Sequence, residues 1–266
     1  MKQKIKFSNI TLVLVILLSS IKISAQTDEK SKSLIDALVS VNGGYTKLET
    51  KKDFEFTYVY DNFDKGKDVS LERHILDGEH SWGSYETHQI HVLPTKKGTA
   101  IQSLVDNKPA ITLDGKKIID PKALGGTIFL RKVNFYWFAM MYKLQDAGTN
   151  YKHLGTETVN GINYDKVSLT YSSNVTKKEQ NDEYILYFNP KTHLIDLFYF
   201  SIPAFGINKP VIKMTLKYEI IDGLHISTVR ESFAPNKKGE YTLNGRYTFS
   251  NIKFNNGFKK EDFILN

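Results

Sequence analysis

Along most of the chain, apolar and polar positions alternate with a period of two. Phe54, Phe56, Tyr58 and Tyr60 share one face of an extended segment at 53–60. Further strands are predicted at 68–76, 79–86, 88–93, 99–105 and 109–113, and again at 151–159, 163–171, 183–188, 193–200, 211–219, 224–233, 240–249 and 250–254. The joints carry turn chemistry. Asp77-Gly78, Asp114-Gly115, Asn160-Gly161 and Asp222-Gly223 each predict a two-residue type I′ hairpin, in which both central residues need positive φ. Asn244-Gly245 fits either a turn or a bulge inside one long strand. Hairpin after hairpin predicts an antiparallel meander, not the strand–helix alternation of a parallel α/β fold.

The most apolar hairpin lies at 182–200. Tyr184, Leu186 and Phe188 point one way and Ile185 and Tyr187 the other, with Asn189-Pro190-Lys191-Thr192 as the turn. A strand with one wet face alternates apolar and polar residues. This hairpin is therefore expected at the centre of a curved sheet, covered on one side and wrapping a ligand on the other.

Two segments break the strand pattern with helical spacing. In 31–48, Leu34, Ile35, Leu38 and Val41 form one apolar face, interrupted at Asn42-Gly43-Gly44. Segment 134–144 has Asn134 as a candidate N-cap, followed by nine apolar or aromatic residues among ten. Apolar all round, it predicts a buried plug helix across the mouth of the sheet. Segment 201–210 carries Ile202, Phe205 and Ile207 between Pro203, Gly206 and Pro210, and reads either as a lid loop with Phe205 over the rim or as a loop packed on the outside of the sheet to cover an edge. The fold class expected is mainly β (α+β): a single antiparallel curved sheet or incomplete β-barrel covered by a few short helices, forming one domain over 26–266.

Residues 1–25 read as a signal peptide. Lys2, Lys4 and Lys6 precede a short apolar run at 10–18, and Ser24-Ala25 offers a cleavage site before Gln26. The expected location is the periplasm or the exterior, with no stable membrane span after cleavage. There is no cysteine, hence no lipid-bearing residue after the leader and no disulfide. The net charge of +7 shrinks without the leader: 36 basic residues less its four lysines leave 32, against 29 acidic, a net of +3. That balance argues against a nucleic-acid partner.

His74, His80, His88 and His91 crowd one region. The odd spacing of His88 and His91 puts them on opposite faces of a strand, and neither cysteine nor an HExxH pattern is present, so no metal site is expected. Arg73, His74, Glu79 and His80 flank a predicted turn, but no nucleophile with an orienting partner accompanies them, and no catalytic residue or cofactor is nominated. The strongest feature is aromatic. Trp82, Tyr85, Phe135, Trp137, Phe138, Tyr187, Phe198, Phe200 and Phe205, with Met141, are the candidate ligand-binding residues.

The leader, the helix at 31–48, the strand led by Phe54, the hairpin turning at Asn189-Pro190-Lys191-Thr192 and the closing strands near Ile252-Lys253-Phe254 together resemble the periplasmic lipoprotein carriers and receptors of the Lol type. The FYWF segment at 135–138 is also similar to uncharacterised secreted bacterial proteins of that fold. The resemblance implies an incomplete β-barrel around an apolar cavity. The chain is longer than those carriers, and no position here matches their lid arginine. The function expected is that of an exported carrier or receptor for an apolar small molecule or acyl chain, with an envelope protein as a further partner. The alternatives are a secreted hydrolase acting on an envelope component and an interaction module with a filled core.

Overall fold

The computed structural model of the chain describes residues 28–265. The proposed leader lies outside them. Thirteen strands form one antiparallel sheet. The first run comprises β1 (Asp53–Asn62), β2 (Gly66–Ile75), β3 (His80–His88), β4 (Ala100–Val105), β5 (Lys108–Leu113) and β6 (Lys116–Lys117). The second comprises β7 (Thr149–Val159), β8 (Ile162–Tyr171), β9 (Tyr184–Phe188), β10 (Ile195–Ile202), β11 (Ile207–Ile221), β12 (Leu224–Pro235) and β13 (Tyr241–Phe254). Each run is a meander, and the two are sewn together where β1 pairs with β13. The sheet does not close: its edges are β6 and β7, which are consecutive in the chain. The connection between them contains α3 (Pro121–Ala139), which crosses the inner face. Two shorter helices, α1 (Glu29–Ser40) and α2 (Gly44–Glu49), precede the sheet.

Turn chemistry sets much of this layout. Asp114-Gly115, Asn160-Gly161 and Asp222-Gly223 have positive φ at both residues, as type I′ hairpins require. Asp106-Asn107 does the same without a glycine. Asp77-Gly78 differs: the positive angles fall on Gly78 and Glu79, within a 3-10 turn. Asn244 is the extra residue of a bulge in β13, because Ser232 pairs with Gly245 and Phe233 with Leu243. The predicted strand at 88–93 is absent beyond His88. The Asp68 carboxylate accepts from the Ile90 and His91 amides there, which occupies the donors that a ladder would need.

The 31–48 helix is split as its glycines suggest, with Gly43 and Gly44 both at positive φ. Asn42 between the halves donates to the Leu38 carbonyl and accepts from the His225 amide, tying α1 to β12. The plug helix is longer than the aromatic run. It starts at Pro121 under an Asp120 cap and ends at Ala139, followed by a 3-10 turn at Met140–Lys143. At about 1.5 Å per residue its 19 residues span roughly 28 Å, enough to cross the inner face. Asn134 lies mid-helix and caps nothing. The main core joins this helix and α1 to the sheet through Phe54, Phe56, Phe138 and Phe249, whose rings pack face on and tilted.

The β9–β10 hairpin supplies the third and fourth strands from the β7 edge and is not at the centre, which belongs to β1, β13 and β12. Its two apolar faces have another cause. Tyr184, Leu186 and Phe188 join the main core, while Tyr187 and Ile185 pack with Tyr164, Leu197 and Tyr199 in a small cluster on the outer face. The turn follows the predicted chemistry: Asn189 Oδ1 accepts from the Lys191 amide at 2.9 Å.

Candidate functional site

The inner face and α3 leave a cleft of about 250 Å³ between them. Its floor comes from alternate residues of the central strands: Tyr58 and Tyr60 on β1, Tyr247 on β13 and Ser232 on β12. Tyr60 and Tyr247 stack at 4.4 Å, and His91 covers the far side of Tyr60 at 5.2 Å. The roof is one side of α3, Phe129, Val133 and Trp137. The Trp137 indole meets Phe200 edge-on at 5.6 Å and Tyr247 at 5.3 Å. At the mouth stand Ile202 at the end of β10, Phe205 on the turn that follows it and Ile212 within β11. Phe205 is 64% exposed and contacts Phe129 edge-on at 5.2 Å. The wall is therefore apolar and aromatic, with hydroxyl and carboxyl groups set into it.

Burial governs the ionisation of those polar groups. The phenols of Tyr58, Tyr184 and Tyr247 are raised by burial and stay protonated donors. Burial also raises Asp182, with Lys178 opposing. Asp68 accepts from two backbone amides and lies 3.1 Å from His91 Nδ1.

Behind the wall lies a fully buried charged cluster. Glu72 accepts from Ser70 at 2.7 Å, Tyr85 at 3.1 Å and Asn134 at 3.1 Å, and pairs with both terminal nitrogens of Arg131. Arg131 also donates to the Tyr85 hydroxyl. Burial alone would raise the Glu72 carboxyl, but Arg131 and His74 outweigh it and hold it at about 2. Burial drives His74 below its ordinary value, with Glu72 opposing. Tyr85 and Asn134 face the cleft as well as Glu72, so this cluster fixes one end of the cleft wall.

A second, smaller space of about 40 Å³ lies on the other side of Trp137. Leu38, Phe138, Met141, Ile195 and Phe198 surround it, with Arg230 of β12 among them.

The candidate residues from the sequence fall into four groups. Tyr85, Trp137, Phe200 and Phe205 line the large cleft. Phe138, Met141 and Phe198 line the small one, together with Trp137. Phe135 packs in the core against Phe54 and His74. Trp82 and Tyr187 are placed elsewhere. Trp82 lies under the Arg73 guanidinium on the outer face, and Tyr187 is in the outer cluster. Strand parity explains both: 82 and 85 differ by an odd number, as do 187 and 184.

The sequence reading did not nominate Tyr58, Tyr60, Tyr247, Arg131 or Arg230. The period-two run at 54–60 marked the face that Tyr58 and Tyr60 share. The Glu72–Arg131 pair had no local signal, its members being 59 residues apart. The histidines do not gather: His74 stacks on Phe54, His80 faces Asp106, His88 meets the Gly98 carbonyl and His91 meets Asp68. Among the described residues, no three metal-ligating side chains come together.

Three solved structures share this architecture. A DUF1329 family protein from Desulfovibrio piger superposes with a TM-score of 0.52 at 16% identity, over 88% of this chain and 98% of that one. A LolA superfamily protein from Nitrosomonas europaea gives 0.52 at 11% identity, over 88% and 96%. A domain from Vibrio parahaemolyticus, described as an outer membrane lipoprotein-sorting protein domain, gives 0.50 at 10% identity, over 88% and 96%. The Lol-type fold read from the sequence is thus the fold of the chain. No curated protein matches it. Residues 8–217 match the family of unknown function DUF6503, and the chain belongs to that family.

Proposed function

We propose that this DUF6503 protein is an exported carrier or receptor that holds a lipid or acyl chain between α3 and the inner face of the sheet. The observation that carries this reading is the aromatic cleft of about 250 Å³ with Phe205 exposed at its mouth. A filled core would place rings there; instead Tyr58, Tyr60, Tyr247 and Trp137 border a space of ligand size. The lipoprotein-sorting description of one structural neighbour supports the same ligand class. Among the described residues, no helix is long and apolar enough to cross a membrane.

The neutral apolar dye N-phenyl-1-naphthylamine tests the reading. The chain has two tryptophans, and Trp82 lies on the outer face. A Trp82→Phe variant therefore leaves Trp137 as the single reporter within the cleft. The expected result is saturable dye uptake near one per chain, with energy transfer from Trp137. Absence of uptake would favour an interaction module with a filled core, and uptake without transfer would move the ligand away from this cleft.

A further inference from the structure

Two arginines are buried in this protein, and the chain treats them differently. Arg131 has the Glu72 carboxylate against both of its terminal nitrogens. Arg230 is 5% exposed and has no carboxylate within ion-pair distance among the described residues. Its Nη2 donates to the Trp137 carbonyl oxygen at 2.5 Å and its Nε to Ser227 Oγ at 3.3 Å. Its Nη1 is buried and meets no acceptor among the described residues. The faces of Trp137 and Phe249 lie 5.8 and 5.3 Å from the guanidinium.

A buried guanidinium with a free donor is costly, because neither water nor an opposite charge compensates its lost hydration. The protonation balance reflects this. Burial lowers Arg230, with Tyr218, Tyr58, Tyr184 and Tyr247 opposing, whereas Glu72 lifts Arg131 against the same effect. Arg230 also borders the space of about 40 Å³ on the far side of Trp137. A water molecule's share of liquid volume is about 30 Å³, so one small polar group fits there. Apart from Ser227 and the Tyr218 phenol, the rest of that lining is apolar or aromatic, and Met140 and Met141 can re-pack around the first carbons of an alkyl chain.

We propose that Arg230 is the receptor for the anionic head of the ligand, and that the ligand is a single-headed carboxylate amphiphile of the fatty-acid type. This rests on the apolar-carrier reading and narrows it. The carboxylate does for Arg230 what Glu72 does for Arg131: it accepts from Nη1 and neutralises the buried charge. The head group takes the small space, and the alkyl chain passes Trp137, which borders both spaces, into the cleft of about 250 Å³. A lipid whose head carries no anion gains nothing from Arg230.

Paired ligands of one chain length test this: oleate, methyl oleate and oleyl alcohol, each competing with N-phenyl-1-naphthylamine on the wild-type chain and on Arg230→Met. A charge-assisted hydrogen bond to a buried cation predicts that the wild-type protein prefers oleate by at least about tenfold over the ester and the alcohol. Arg230→Met should lose that preference, with oleate, ester and alcohol then binding alike. Equal affinities on the wild-type chain would overturn the head-group assignment, with solvent alone as the partner of Arg230, and would leave the carrier reading standing. Failure of all three ligands and the dye would remove both. Should Arg230→Met not fold, the wild-type ratio of oleate to methyl oleate decides alone, and a ratio near one overturns the proposal.

Discussion

Glu72 and Arg131 show how much of this protein rests on single side chains. Removing one partner of a buried ion pair leaves the other uncompensated, so Glu72→Gln should lower stability by about 3–5 kcal/mol in urea unfolding. The pH dependence follows from the same pair. Glu72 falls from 4.5 to about 2 on folding, so its contribution is complete above pH 4.5 and is lost as the pH drops toward 2. His74, also depressed, adds an acid loss that begins at its ordinary value of 6.5. The wild-type chain should therefore lose stability between pH 4.5 and 2 through Glu72, and Glu72→Gln should not show that part of the loss. A parallel acid limb in both proteins would refute the assignment. Gly83 is coupled to this pair: a β-carbon there would clash with the Arg131 guanidinium at Nη1. Gly83→Ala should cost about 1–3 kcal/mol as overpacking, measured the same way. None of this was legible in the sequence. Alternation can assign Glu72 to a face, but it cannot say that an arginine in a distant helix will meet it there.

At the level of elements, the strands were legible and the long helix only in part. Alternation and Asx-Gly turns are local signals, and they located most of the sheet. The first half of α3 was not located because Gly125 and Gly126 lower its helix propensity, although Asp120-Pro121 is a good helix start. Packing secures that half: Leu130 is buried beside Tyr85 and Ile111, and Thr127 accepts from Gln102 at 3.0 Å. The 201–210 segment was read as a loop because of its prolines, yet β11 begins at Ile207 and contains Pro210. Pro210 is tolerated because the β10–β11 register shifts between Phe200–Ile212 and Ile202–Ile207, leaving it outside the regular ladder. The turn Pro203–Phe205 remains at the cleft mouth. Phe205→Ser should change the uptake and release rates of N-phenyl-1-naphthylamine by several-fold in stopped-flow fluorescence, while thermal stability moves little because the ring is mostly exposed. A loss of stability with unchanged rates would make the turn a structural cover and not a gate.

For the whole molecule, the open antiparallel sheet with covering helices was legible, whereas the position of the central hairpin was not. Alternation shows that a strand is buried on both faces but not which neighbour buries it, and Tyr164 and Tyr199 supply the outer cover of β9. The proposed leader carries its own prediction: protein recovered after export should begin near Gln26 by N-terminal sequencing, and intact Met1 in a membrane fraction would contradict it. The seam between β1 and β13 reaches further. Asp53 at the start of β1 accepts from the amides of Asn256, Gly257 and Phe258, residues more than 200 positions away. While the chain is synthesised or threaded through a pore, β1 therefore has no partner on that side until the last strand has emerged. A form stopped before Tyr241 would present the bare edges of β1 and β12 at once, and unpaired edges recruit strands from other molecules. Closure of the seam is thus the late step, slowed by distant pairing, and a prematurely terminated product is expected to aggregate rather than persist as a half-formed container.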